Sequence, residues 1–277
     1  MAVRSVLTLL TCATAALAES VGTPPLDAPY RNAALPVAER VADLLSRMTL
    51  EEKSAQLLNP VGAQDGPGHF SVNATYILDK FGAIGVGTVY AGFACNASLT
   101  GAACKNYLQS ELIARTRLGI PVSIISETLV SGTSGATIFP QPVLRGCAFD
   151  RELESAIGTS IARQARLGGT DRGLSPVLLV DTDARFGRFE EAYGEDPFLV
   201  SELGVAVALA LQGDASGPAT YLPDFTKHIT LEAKHYMAYG YGGRDWFAAD
   251  LTNRTLFDVY GKPWHRFMRR AGGRGAM

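Results

Sequence analysis

The sequence has no surplus of positive charge: 25 lysines and arginines stand against 27 aspartates and glutamates, a formal net charge of −2. Polyphosphate recognition needs a basic face that releases counterions, so no nucleic-acid partner is expected. The body of the chain contains no apolar run of about 18 residues, which argues against a membrane span. Histidine is scarce, with 4 residues, and these form neither an i, i+4 metal pair nor a His-Glu-x-x-His motif. Walker loops and Gly-x-Ser-x-Gly elbows are missing too. Gly82, Gly85 and Gly87 fall in an expected strand rather than ahead of a helix, so they make no dinucleotide fingerprint. No cofactor or metal is therefore expected.

Cysteine is also sparse, at 4 residues. Cys12 lies in an N-terminal segment with its own signature: Arg4, an apolar stretch from Val6 to Leu17, then Ala16-Leu17-Ala18 ahead of acidic Glu19. Residues 1–18 read as a secretory signal peptide, leaving 19–277 as one domain and predicting a secreted, extracellular protein. In such an oxidising compartment Cys95 and Cys104, in a Gly/Ala/Asn-rich stretch expected to be a loop, are candidates for a disulfide. Cys147 reads as a small buried side chain. Sequons at Asn73, Asn96 and Asn253 fit a glycoprotein.

What is present suffices for one large domain. The 277 residues are 47% hydrophobic, ample for a packed core. After an extended lead-in, Val37, Val41, Leu44, Leu45 and Met48 follow a helical period. Thr49 then opens a capping box with Glu52, starting a second helix to about Leu58. From there strands expected at Ala83–Tyr90, Val122–Ser126, Val177–Val180 and Leu231–His235 alternate with helices at Lys105–Leu118, from Asp150 to Leu167, from Asp196-Pro197 to Gly213, and at Arg254–Arg270. Gly275–Met277 begins a further strand. Such alternation gives a parallel sheet, either doubly wound or a barrel. Glu127, Asp181 and Lys234-His235 each sit at a strand end, and polar groups converging from several strand ends favour the barrel. The expected fold is α/β, a TIM-like (β/α)8 barrel incomplete at its C-terminal end, because roughly five strands are counted where a closed barrel has eight.

The densest polar segment is Thr182 to Pro197, with Arg185, Arg188, Glu190, Glu191 and Glu195 around Gly187 and Gly194. Together with other blocks it carries a resemblance. Val41 to Lys53, Gly119-Ile-Pro121, Thr137-Ile-Phe-Pro140, Gly187-Arg188, Gly194-Glu-Asp-Pro197, Lys234-His235 and Gly243-Arg-Asp245 occur in order from about Arg40 to Met277. In that series the chain resembles the N-terminal barrel domain of glycoside hydrolase family 3, the secreted β-glucosidases and β-xylosidases.

The resemblance implies a substrate-binding set of Glu127, Arg188, Lys234, His235 and Arg244. These residue types suit a sugar, whose fan of hydroxyls is discriminated by donors and acceptors at fixed positions. Lys234 and His235 are consecutive at a strand end, so their side chains diverge; the alternative is a solvated rim pair. Arg188, with Gly187 to let the backbone bend, offers a fork of donors to a diol or forms an ion pair with Glu190, Glu191 or Asp183. Arg244 has the same two readings. Glu127 accepts from hydroxyls or is a surface carboxylate; as Glu rather than Asp it is the form more often met in the xylosidase-like branch. Val130 stands where many members carry histidine. The family's nucleophilic aspartate lies on the strand after the segment matching Ala271–Met277, and its acid/base comes from a following domain. No catalytic residue is therefore assigned within the chain. The implied activity of the full-length parent is retaining exo-hydrolysis of terminal β-D-glucosyl residues, acting on β-linked glucosides or short oligosaccharides. A β-xylosidase specificity, or a non-catalytic sugar-binding remnant, are the alternatives. Oligomeric state is left open.

Overall fold

The computed structural model describes residues 22–60, 71–90, 92–96, 99–213, 224–243 and 249–277. The signal segment 1–18, His69 and the expected site residue Arg244 lie outside them. Seven strands are described: β1 Ser71–Asn73, β2 Thr88–Tyr90, β3 Gly92–Asn96, β4 Leu99–Thr100, β5 Ser123–Ser126, β6 Arg172–Gly173 and β7 Thr230–Leu231. The main sheet is wholly parallel and runs β2-β5-β6-β7. Isolated parallel bridges Val177↔Lys234 and Ala233↔Ala276 extend it, so the Gly275–Met277 strand begins where expected.

Spatial order along this sheet follows chain order, with a helix in each gap. Gly101–Arg115 separates β2 from β5, Arg151–Leu167 separates β5 from β6, and Pro197–Gln212 separates β6 from β7. A doubly wound sheet reverses direction at a switch point, whereas a barrel advances one stave at a time. The observed order is that of the TIM-like barrel. Its helical layer packs Ile157 and Ile161 of one helix against Val200, Leu203 and Leu211 of the next and Trp264 and Phe267 of the last. Each fully buried side chain of this size contributes about 1.5–3 kcal/mol. Pro197–Gln212 is buried almost all round, so it carries little helical period and is legible only from its ends: Asp196 accepts the Phe198 N–H, Pro197 starts the helix and Gly213 leaves it at φ 76°.

Several expectations are corrected. Ala83–Tyr90 shortens to β2, because an unanticipated helix, Ala74–Phe81, precedes it and turns at Gly82. The start of that stave is held by another segment, with Gly87 N donating to Ala55 O and Thr88 N to Leu58 O. A Cβ on Gly87 would collide with the Gln56 carbonyl, which is why a glycine stands at this close approach. The stretch containing Cys95 is strand β3, paired in parallel with β1 and antiparallel with β4, while Cys104 sits in the first turn of Gly101–Arg115; tertiary pairing overrides a weak local strand preference. Cys104 is disulfide-bonded, and the Cys95 side chain lies outside the described ones. Cys147 is exposed with a free thiol, not buried, because the short helix Pro142–Gly146 turns Arg145 and Gly146 inward. Val177–Val180 is fully buried but carries only the bridge at Val177, the ladder having formed earlier at β6; Pro176 has no N–H to donate. The last helix runs Asn253–Thr255, then a π-helical turn Leu256–Tyr260, then Gly261–Arg270. Of the sequon residues, Asn253 is exposed; the side chains of Asn73 and Asn96 lie outside those described. Among the described residues no helix is long and apolar enough to cross a membrane.

Candidate active site

The C-terminal ends of the staves open onto a cavity of about 770 Å³. Glu127 enters it directly after β5. Lys234 and His235 enter just past β7. Arg188 and Glu191 arrive on the long loop after β6, Arg188 just before the one-turn helix Phe189–Glu191 and Glu191 as its last residue. All five line the cavity, with Tyr90, Val130, Glu232 and Met277. The structure thus brings together four of the five residues expected to bind substrate, from three separate strand ends.

Lys234 is the most buried of them. Its side chain is 2% exposed, and its Nζ donates to Glu127 Oε2 at 2.6 Å across a gap of 107 residues; Glu127 itself is 45% exposed. The buried cation therefore anchors a carboxylate whose rim faces the cavity. Arg188 makes a bidentate pair with Glu191, Nε to Oε1 at 2.8 Å and Nη2 to Oε2 at 2.7 Å. Of the three acidic partners considered for Arg188, Glu191 is the one realised, since Asp183 is taken by Arg185. That hydrogen-bonded pair holds the Asp183 carboxyl down at about 2, and the Glu191 pair raises Arg188 above its ordinary value. The glycine before Arg188 is not needed for the bend: Gly187 has no left-handed φ, and a Cβ there would meet nothing within 4 Å.

Lys234 and His235 diverge as expected, one toward Glu127 and the other toward an aromatic cluster. The His235 ring packs on Tyr239 with centroids 4.9 Å apart. Arg188 lies 5.8 Å over the Tyr239 ring, and Phe186 meets that ring edge-on at 5.1 Å. Burial, reinforced by Arg188 and Lys234, lowers the His235 pKa to about 4, so the imidazole is neutral across the physiological range. A neutral imidazole both donates and accepts, which suits a hydroxyl better than an anion. Its Nδ1 is buried with no partner.

Sequence reasoning missed Tyr90 and Tyr239. Tyr90 ends β2 against the cavity, and its hydroxyl is pushed up to about 12 by burial and by the Glu127 charge. An aromatic at the last position of a stave was the available signal. Glu191, one of the ion-pair partners expected for Arg188, also lines the cavity. Asp181 is not among the residues that line this cavity. It is buried, one carboxylate oxygen has no partner, and burial followed by the charges of Glu191 and Glu190 raises its pKa to about 7.

Each of the three carboxylates that line the cavity is tied to a cation: Glu127 to Lys234, Glu191 to Arg188, and Glu232 to Arg172 at 3.5 Å. Such carboxylates accept hydrogen bonds well and attack or protonate poorly.

The sequence model of the glycosyl hydrolase family 3 N-terminal domain matches residues 49–276. A putative β-xylosidase of Formosa agariphila is 31% identical over 255 residues, which is 90% of this chain and 33% of that protein. A periplasmic β-glucosidase of Salmonella typhimurium is 29% identical over 252 residues, 90% of this chain and 29% of that protein. Among solved structures, a β-glucosidase from Erythrobacter marinus superposes with a TM-score of 0.75 at 32% identity, covering 91% of this chain and 33% of its own. A mutant β-glucosidase from Listeria innocua in complex with laminaribiose gives 0.70 at 28% identity, covering 86% and 32%. The chain spans about a third of the length of the curated relatives it matches. On the family match, the parallel barrel and the strand-end cavity together, this chain belongs to glycosyl hydrolase family 3 and carries its N-terminal domain.

Proposed function

We propose that this chain is the sugar-binding barrel of a secreted, exo-acting retaining β-glycosidase, and that its cavity takes the terminal β-D-glucosyl residue of a β-linked glucoside or short oligosaccharide. The observation that carries this reading is the convergence of Glu127, Arg188, Lys234 and His235 on one cavity. Between them they offer two cationic donors, a neutral imidazole and an anchored carboxylate, a set matched to vicinal hydroxyls. The relatives named as β-glucosidases support the sugar class. Arg244 completes the set in this proposal.

Retaining hydrolysis requires two carboxyl groups about 5 Å apart, one to attack and one to donate a proton. Since every described carboxylate in the cavity is ion-paired, the proposal assigns binding to this chain and the attacking and acid groups to residues outside it. The β-xylosidase reading is carried by a relative of that name and by Glu127 as the acidic residue, and the same experiment separates the two. Calorimetric titration with glucose and with xylose is expected to show glucose bound more tightly, with Glu127→Gln weakening it at least tenfold. Tighter xylose binding would transfer the specificity. Glucose affinity unchanged in Glu127→Gln would sink the site. Cleavage of an aryl β-glucoside by the purified chain would refute the division of labour.

A further inference from the structure

A second cavity, of about 330 Å³, lies at the opposite end of the barrel from the sugar site. Its wall includes Gly119, Ile120 and Pro121, the residues that lead into β5. Glu127 leaves the other end of that strand, roughly 20 Å away at the rise of extended chain. The opposite wall is Tyr30, Arg31, Arg40 and Leu44.

Two guanidinium groups meet here, and among the described residues neither has an acidic partner. Arg31 Nη2 donates to Leu118 O at 3.2 Å, and its plane lies 5.0 Å over the Tyr30 ring. Its Nε is buried with no acceptor. Arg40 Nε donates to Tyr30 O at 3.0 Å, which leaves its terminal nitrogens for another acceptor. Asp43, which accepts the Tyr30 N–H, is already paired with Arg47 at 2.8 Å. Gly119, at φ 62°, keeps the wall thin: a Cβ there would come within 3.4 Å of the Arg31 guanidinium. A buried donor without an acceptor costs about 1–3 kcal/mol, and the Arg40 charge across the same cavity raises the positive potential at Arg31 further. An anion relieves both.

The rest of the lining decides which anion. Leu44, Ile120, Pro121 and the Tyr30 ring form an apolar side, which a bare oxyanion would leave wet. The volume is at the lower end of ordinary small-molecule sites. We infer that this cavity binds a small organic carboxylate with a compact apolar body, its carboxylate held by Arg31 and Arg40 and its body against Leu44, Ile120 and Pro121. The site is separate from the sugar cavity and stands or falls independently of it.

Benzoate is a suitable probe, with benzyl alcohol as its neutral counterpart and inorganic phosphate as the bare anion. Titration of the whole chain at low ionic strength is expected to give one benzoate site that weakens as salt is added, with benzyl alcohol and phosphate each at least tenfold weaker. Arg40→Gln is expected to weaken benzoate at least tenfold while leaving glucose affinity and the thermal midpoint unchanged. Should that variant melt early, Arg31→Gln and the salt dependence of the unaltered chain decide. Benzyl alcohol or phosphate binding as tightly as benzoate overturns the ligand class. A benzoate affinity indifferent to salt, or retained in both arginine variants, overturns the site.

Discussion

Lys234 and Lys105 are both buried, at 1% and 5% exposure, yet they are compensated in different ways. Lys234 meets a carboxylate, Glu127, which also lines the strand-end cavity. Among the described residues Lys105 makes no ion pair: its Nζ donates to Gly168 O at 2.6 Å and, at 3.4 Å, to Thr170 Oγ1. Gly168 caps the helix Arg151–Leu167, so this ammonium sits on the negative end of a helix dipole. A lysine that only has to hold the fold is served by a carbonyl. One whose partner opens onto a cavity is served here by a carboxylate. Asp181 is a third case, buried with one oxygen unpartnered.

Substitutions can break or sharpen that contrast. The largest effect is expected from Lys234→Met, which keeps the volume and removes the anchor of Glu127. Glucose affinity should fall at least a hundredfold, about 2.8 kcal/mol, while Lys105→Met leaves it unchanged. Equal losses in the two variants, measured by calorimetry, would erase the distinction.

Next comes Asp181. Its pKa is raised from 3.8 to about 7 in the fold, so the native state holds this proton more tightly than the unfolded chain. That stabilisation is complete below about pH 4 and is lost as pH rises through about 7. The loss approaches roughly 4 kcal/mol at most. Asp181→Asn should flatten this interval and gain stability at pH 8 relative to the parent, as read from denaturant midpoints across pH. An unaltered pH profile would show that the carboxyl is satisfied.

Lys105 should give a smaller effect of the opposite pH sense. Burial lowers its pKa, with Asp171 opposing, so the folded chain gives up the proton before the unfolded one does. Its contribution to stability is lost as pH falls through the folded value and grows as pH rises toward the ordinary 10.5. Lys105→Met should remove that alkaline gain, so that the parent gains on the variant as pH rises toward 10.5; parallel curves would show that the ammonium contributes no pH dependence. The smallest change is expected from Thr170→Val. A 3.4 Å contact is at the long limit of a hydrogen bond, so its removal should shift stability by no more than about 0.5 kcal/mol. A larger loss would make the hydroxyl, rather than the helix end, the partner of Lys105.

Much of the local architecture was legible in the sequence. Thr49 and Glu52 form the capping box, and Asp150 and Asp196 cap their helices, because each cap acts within three residues of chain. The helix from Val37 forms as its period predicts, yet Val37, Val41 and Leu45 remain 40–48% exposed: periodicity reports an apolar face, not what covers it. The strand ends carrying Glu127, Arg188, Lys234 and His235 were placed by alternation and by resemblance. The helix Ala74–Phe81 and the β3 strand were missed. The helix starts directly after Asn73, a cap-type residue read only as a sequon, and β3 is composed of weak strand formers held by pairing with β1 and β4.

The sequence by itself determined the order of the main-sheet staves, the starts of the helices capped by Thr49, Asp150 and Asp196, and the family. Those depend on hydrophobic period and on contacts a few residues apart. Only the tertiary structure decided that Lys234 closes on Glu127, that Arg188 takes Glu191 rather than Asp183, that Cys147 faces outward, and that Arg31 and Arg40 share a cavity without an acid. Burial and ion pairing depend on which distant segments the barrel brings within a few ångströms, and no local pattern encodes that distance.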